Sequence, residues 1–369
     1  MSLPPEAYAV ALATLPGMGP KRLLEILRRW PPAEGWRRVL AGGAGGEAGL
    51  APVWRVTAAG VDVAQVWRAH LDAGVRADVL GGDGYPPLLA ADHEAPALLF
   101  SRGDPAALPA GRRVAIVGTR RCTRYGRDVA WELGRDLAAA GVTVVSGLAL
   151  GIDGAAHAGA LEAGGGPPVA VVGSGLDVVY PRVHASLWSA VAGAGLLLSE
   201  APLGARPEPW RFPVRNRVIA AVAEVVVVVE SHAAGGSRHT VEAAEARGRT
   251  VMAVPGSVRS PASAYTNGLL ADGCPPARDA TDVMVALGLS TAMRDPVPAD
   301  LRPAPGPGEA RVLEALGWEA ASLEAVVTRT GMGAGEASVA LTRLQRDGWV
   351  VSAGGWWERV AQVPLGECR

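Results

Sequence analysis

The chain has 369 residues, 35 Lys+Arg against 36 Asp+Glu, 49% hydrophobic and 19% charged residues, and Lys21 is its one lysine. That length and apolar fraction suit two or three domains with a large buried core and exclude a disordered tail. The lysine count removes Walker A nucleotide sites, pyridoxal phosphate and Schiff-base chemistry, because no strand-to-helix loop carries the amine they require. Cys122, Cys274 and Cys368 are far apart, with no CxxC pair and no His at ligand spacing. Neither a disulfide framework nor a metal site is therefore expected, and the compartment reads as reducing. The start carries Glu6 and no basic n-region, and the most apolar run, Val218–Val229, is 12 residues long and broken by Glu224. A bilayer span needs about 20, so a cytoplasmic protein away from the membrane is expected.

In chain order, residues 1–80 read as short helices, including the hairpin-like LPGMGPKRLLEIL at Leu15–Leu27. Residues 81–290 alternate short apolar runs with helical patterns. Strands are predicted at Val114–Val117, Val142–Val145, Val169–Val172, Leu196–Leu198, Val225–Val229 and Val251–Val254. Helices are predicted between them at Tyr125–Ala140, Asp153–Ala163, His184–Ala192, Arg215–Ala223 and Thr240–Arg247. Continuous apolar strands imply a sheet covered on both faces, so the fold class is α/β, a Rossmann-like, mostly parallel, doubly wound sheet. Its ligand crevice lies beyond the carboxyl ends of the strands. Residues 291–308, with five prolines, read as a linker. Residues 309–369 give three helices and a hairpin turned at Ala353-Gly354, the plan of a winged helix.

The chemistry-bearing residues follow strands. From Arg112 to Arg127 there are six Arg and no acid, and the first strand exits through Gly118-Thr119-Arg120-Arg121. A glycine turn feeding a helix N-terminus presents backbone N–H groups and the positive end of the helix dipole, so an anion site is expected here, completed by Thr119 and Arg120. A solvated arginine face on an ordinary glycine turn is the alternative. After the second strand, Asp153 is expected as a helix N-cap with His157 one turn on, a capping and packing pair; a catalytic Asp–His pair is the alternative, for which no Ser or Cys nucleophile stands in a recognisable elbow nearby. The third strand leads to Gly173-Ser174-Gly175, but Val178 stands where a dinucleotide fingerprint needs its third glycine, which argues against NAD or FAD.

Phe212 is one of two Phe in the chain and stands among Arg211, Arg215, Asn216 and Arg217. An aromatic face among guanidinium groups suits stacking a base while holding its phosphates; a core plug is the other fate of such a Phe. The fifth strand leads into Gly235-Gly236-Ser237-Arg238-His239-Thr240, a second glycine–hydroxyl nest before a helix.

VAIVGTR, SGLALGIDGAAH, FPVRNRVIA, the GGSRHT loop, and AVPGS before TNGLLADG resemble, in this order, the DprA/Smf family of DNA-processing proteins. The likeness covers roughly Pro86–Leu287, and the flanks resemble the family's N-terminal SAM-like helical domain and C-terminal winged helix. The resemblance implies a non-enzymatic protein that binds single-stranded DNA during natural transformation and helps load the RecA recombinase in homologous recombination. It implies a homodimer and single-strand-binding protein as a further partner, with no cofactor, metal or catalytic residue. It carries DNA contact to Gly118, Thr119, Arg120, Arg121, Arg211, Phe212, Arg215, Asn216 and Arg217, and to Gly236, Ser237 and Thr240, although the last loop departs from the family's serine-glycine-threonine opening. Lys21 and Arg22, in a helix-hairpin-helix-like turn, are a candidate second DNA contact.

An enzyme is the alternative. The run Gly235-Gly236-Ser237 to Glu242 is similar to the nucleotide phosphoribohydrolases of the lysine decarboxylase-like Rossmann family, without their full proline-glycine-glycine pattern. The segment Leu301–Arg369 has seven Arg against eight acids, so it lacks the basic face that DNA docking uses and is expected to be a protein-contact or regulatory module.

Overall fold

The structure, a computed structural model, describes residues 3–44, 49–108, 111–289, 302–318 and 320–360. It divides into two units, Met1–Thr291 and Ala292–Arg369. The first begins with helices α1 (Pro5–Ala13), α2 (Pro20–Arg29), α3 (Pro32–Leu40), α4 (Leu50–Ala59) and α5 (Val63–Asp72). Prolines open α1, α2 and α3 at first-turn positions, where the missing N–H costs nothing.

An eight-stranded sheet follows: β1 (Arg76–Val79), β2 (Leu98–Gly103), β3 (Arg113–Val117), β4 (Thr143–Ser146), β5 (Val169–Val172), β6 (Leu196–Ser199), β7 (Val225–Val228) and β8 (Thr250–Ala253). Their order is β1-β2-β6-β5-β4-β3-β7-β8. β3 to β8 run parallel, while β2 pairs antiparallel with β6 and β1 with β2. The six parallel strands fall within a residue or so of the predicted runs. The antiparallel pair was not predicted: β1 ends within the expected helical segment 1–80, and Ala77, Leu98 and Phe100 share one core with α1–α4. The N-terminal helices therefore cover one face of this sheet.

The remaining helices of this unit are α6 (Pro87–Ala90), α7 (Arg124–Ala139), α8 (Ile152–Ala163), α9 (Ala185–Ala194), α10 (Arg211–Val222), α11 (Arg238–Glu245), α12 (Ala264–Ala271) and α13 (Ala280–Ala286). α7 and α8 cross at glycines: a Cβ on Gly134 would lie 2.2 Å from the Ala156 carbonyl oxygen, and one on Gly159 would lie 2.0 Å from that of Trp131. α10 starts four residues before the predicted Arg215, because Pro213 is tolerated in a first turn.

The second unit holds α14 (Pro307–Leu316), β9 (Ala321–Ser322), α15 (Leu323–Thr330), α16 (Ala334–Arg346), β10 (Val350–Ala353) and β11 (Trp356–Arg359), with sheet order β10-β11-β9. Its core is Val312, Leu316, Val326, Leu341, Leu344 and Val350, so the expected three helices and wing are present. Residues 291–301 of the expected linker, and Cys368, lie outside the described residues. Among the described residues, no helix is long and apolar enough to cross a membrane.

Candidate nucleic-acid interface

In a doubly wound sheet the crevice opens where the strand order reverses, here between the loops leaving β3 and β7. The chain fills that place itself. The Glu230 carboxylate, 1% exposed, accepts the Thr123 backbone N–H at 2.8 Å and the Thr123 hydroxyl at 2.6 Å. A Cβ on Gly126, in the first turn of α7, would lie 2.3 Å from it. A carboxylate against a helix N-terminus satisfies the dipole that was expected to hold a ligand anion. Gly118 serves packing: a Cβ there would meet Ile152 at 2.6 Å and the Glu230 carbonyl oxygen at 2.7 Å. The Thr119 N–H donates to that oxygen at 2.7 Å, and the Thr119 hydroxyl accepts the Arg121 N–H at 3.2 Å. The expected backbone anion nest is thus corrected to an internally capped turn.

The arginine run also divides. Arg112 and Arg113 sit at the amino end of β3, where both pair with Glu224, at 2.8 and 3.2 Å. Arg120 and Arg121 are exposed at the carboxyl end. Along an extended strand of five residues, neighbours in sequence end up on opposite edges of the sheet.

The patch that does assemble lies one strand over, at the ends of β4 and β5. The Arg120 guanidinium stands 4.4 Å from the centroid of the Phe212 ring, and the Tyr180 ring is 5.7 Å from it, tilted by 34°. Phe212 is half-buried and Tyr180 is 41% exposed. Together with Leu150, Gly173 and Pro181 they line a small cavity. Tyr180 and Leu150 were not among the expected site residues; an aromatic–proline pair at the end of a strand-exit loop was the available signal for Tyr180.

Arg215 lies beneath this surface and is not part of it. It is 7% exposed, its guanidinium donates to the Gly147 carbonyl oxygen at 2.9 Å and also to that of Val171, and burial pulls it down to about 10 against the attraction of Asp153. Gly147 is required for this, since a Cβ there would lie 2.0 Å from the guanidinium. Asp153 accepts the Gly147 N–H at 3.1 Å, and burial raises its carboxyl while Arg215 opposes the rise. The cap of α8 is Gly151, and Asp153 sits inside its first turn, a correction of its expected N-cap role that leaves it structural. His157 is fully buried with no protein partner on either ring nitrogen, and burial lowers it to about 3. Leu148, in the same loop, holds φ at +53°, and its carbonyl oxygen lies 3.0 Å from His184 Nδ1.

The other expected contacts separate further. Arg217 pairs with Glu200 and donates to the Glu94 carbonyl oxygen. Arg211 lies over the Trp210 ring at 4.5 Å. Asn216 Nδ2 donates to the Gly236 carbonyl oxygen at 3.4 Å. Gly236 is exposed, but Ser237 and Thr240 are buried, and the Ser237 hydroxyl donates to that of Ser231 at 2.6 Å. Lys21 is exposed on α2, while Arg22 donates to the Gly17 carbonyl oxygen at 2.8 Å and braces the turn.

A doubly wound sheet whose switch point is internally filled, with an arginine–aromatic patch at neighbouring strand ends and a winged-helix unit, defines the class of this protein. The family model described as DNA recombination-mediator protein A matches residues 78–288, and that of the DprA winged helix domain matches residues 296–355. The chain is 36% identical over 223 residues to DNA processing protein DprA of Bacillus subtilis, covering 60% of this chain and 75% of that one. It is 33% identical over 285 residues to Protein Smf of Escherichia coli, covering 76% of each. The X-ray structure of DNA processing protein A from Streptococcus pneumoniae superposes with a TM-score of 0.62 at 30% identity, over 77% of this chain and 98% of that one. The Helicobacter pylori protein, solved for its single-stranded DNA binding mode, gives 0.52 at 28% identity over 57% of this chain and 95% of its own. The chain belongs to the DNA recombination-mediator protein A family, DprA/Smf.

Proposed function

We propose that this chain binds single-stranded DNA without sequence preference, protects it, and helps load RecA onto it during natural transformation and homologous recombination. The observation that carries the proposal is Arg120 stacked on Phe212 beside an exposed Tyr180. Every base has a π-face, so an aromatic pair bounded by a guanidinium takes any base while the cation holds a phosphate. The relatives named DNA processing protein, and the single-stranded DNA binding of the Helicobacter pylori protein, support the same reading. A homodimer in the cytoplasm, with RecA and single-strand-binding protein as partners, completes the proposal; no cofactor or catalytic group enters it.

Binding of fluorescent oligonucleotides at rising salt tests it. The logarithm of the affinity should fall linearly with log salt, and Phe212→Ala should weaken binding about 5- to 150-fold, the loss of one stacked base. Arg120→Ala should weaken it and flatten the salt slope by about 0.7. Salt-independent binding, or variants equal to wild type, would remove the proposal. Mediator activity is read as faster RecA assembly on DNA coated with single-strand-binding protein, and no acceleration would leave a DNA binder only.

A further inference from the structure

A groove of about 1210 Å³ runs between α2 on one side and the starts of α10 and α11 on the other. Lys21, Arg28 and Arg29 are exposed on its α2 wall, and Trp30 and Trp210 both line it. The Arg29 guanidinium lies 4.7 Å from the Trp30 ring centroid, as Arg211 lies over Trp210. The pairing of cation and aromatic seen at Arg120 and Phe212 thus recurs twice here. Five Lys or Arg line the groove, Lys21, Arg22, Arg28, Arg29 and Arg217, against three acids, Glu25, Glu94 and Glu242. Glu94 is already paired with Arg247 at 2.8 Å, and Arg217 with Glu200, which leaves Lys21, Arg22, Arg28 and Arg29 against Glu25 and Glu242. The balance favours a polyanion with flat apolar faces.

The groove and the Phe212 patch adjoin through shared wall residues. Pro20, Trp210 and Val214 line both the groove and a smaller cavity beside it. That cavity shares Val172, Gly173 and Arg215 with the pocket of Arg120, Phe212 and Tyr180. Trp210 is the link: it is 43% exposed and two residues before Phe212. Its ring lies 3.8 Å from where a Cβ on Gly19 would stand. Gly19, in the hairpin turn that opens α2, is therefore held against the strand-end surface with Lys21 beside it.

We infer that this groove is a second subsite of the single-strand path, in which Trp210 and Trp30 stack bases and Lys21, Arg28 and Arg29 hold phosphates. A strand seated on Phe212 continues past Trp210 along α2, so the N-terminal helices are part of the DNA-binding surface. The inference rests on the binding proposed above for Phe212 and lengthens the site.

Because Lys21 is the one lysine, an amine-acylating ester reports on this groove at one side chain in the full wild-type chain, read by mass spectrometry of its peptide. A saturating oligothymidylate of about twenty residues should slow Lys21 acylation about tenfold, while one of about six, long enough for the Phe212 patch alone, should slow it much less. Lys21→Ala with Arg28→Ala should lower the salt slope for the long oligonucleotide by about 1.4 and leave the short one unchanged. If Phe212→Ala weakens both oligonucleotides while Lys21 acylates at the free rate under the long one, the groove carries no DNA and the inference falls with the Phe212 site intact. If Phe212→Ala weakens neither, the underlying reading falls as well.

Discussion

Arg120 and Arg215 show how far two arginines of one resemblance can diverge. Arg120 lies on the surface over Phe212, whereas Arg215 is buried and its attraction for Asp153 opposes the cost of burying both. Removing one member of a buried charge pair leaves the other uncompensated and costs about 3–5 kcal/mol. Arg215→Ala should therefore destabilise the fold by about that much in urea unfolding, while Arg120→Ala should stay within about 0.5 kcal/mol of wild type. His157 gives a pH signature. Its folded-state value is lowered to about 3, below the ~6.5 of an unfolded chain, so its contribution is present above that and is lost as pH falls from 6.5 toward 3. Glu200 runs the other way: burial raises it to about 7, so stability is lost as pH rises from about 4.5 to 7. His157→Leu removes only the first effect. Relative to wild type, the variant should gain about 2 kcal/mol in unfolding free energy between pH 7.5 and pH 5; an unchanged difference would show that His157 titrates normally in the fold.

Among the elements, α7 and α8 approach as closely as their backbones allow because Gly134 and Gly159 stand at the crossing. Alanine is the better helix former by up to about 1 kcal/mol. Gly159→Ala should nevertheless lose about 2 kcal/mol net, measured by chemical denaturation, because its Cβ would lie 2.0 Å from the Trp131 carbonyl oxygen. The parallel strands were legible because a strand buried on both faces must be a continuous apolar run, as VVVV and LLLS are. β1 was not, since RADV carries no such run, and β2 was not, since its apolar Leu98–Phe100 gives way to Ser101-Arg102-Gly103 over the other half of the strand. They become strands by pairing, β2 onto β6 and β1 onto β2. The turn after β3 is filled from within for a related reason. A glycine before a helix is written the same way whether it admits a phosphate or the chain's own Glu230, and Glu230 lies 107 residues from Thr123.

At the scale of the whole molecule, near-neutral net charge conceals a local distribution. Arg112 and Arg113 are matched by Glu224, and Arg217 by Glu200, while Arg120, Arg121, Lys21 and Arg28 are exposed. The second unit has its own core, and its segment is slightly acidic. A fragment ending at residue 291 should therefore fold and bind oligonucleotides with the affinity and salt slope of the full chain. A flatter slope in the fragment would place cationic contacts in the winged-helix unit. The sequence by itself determined the α/β class, the six parallel strands, the winged-helix plan and the family, because periodicity and ordered motifs are local and survive without neighbours. Tertiary structure decided which members of those motifs face outward. It buried Arg215, Ser237 and Thr240, filled the switch point with Glu230, and joined Tyr180 to Phe212 and Trp210 to Gly19, because burial and ion pairing are settled between residues far apart in the chain.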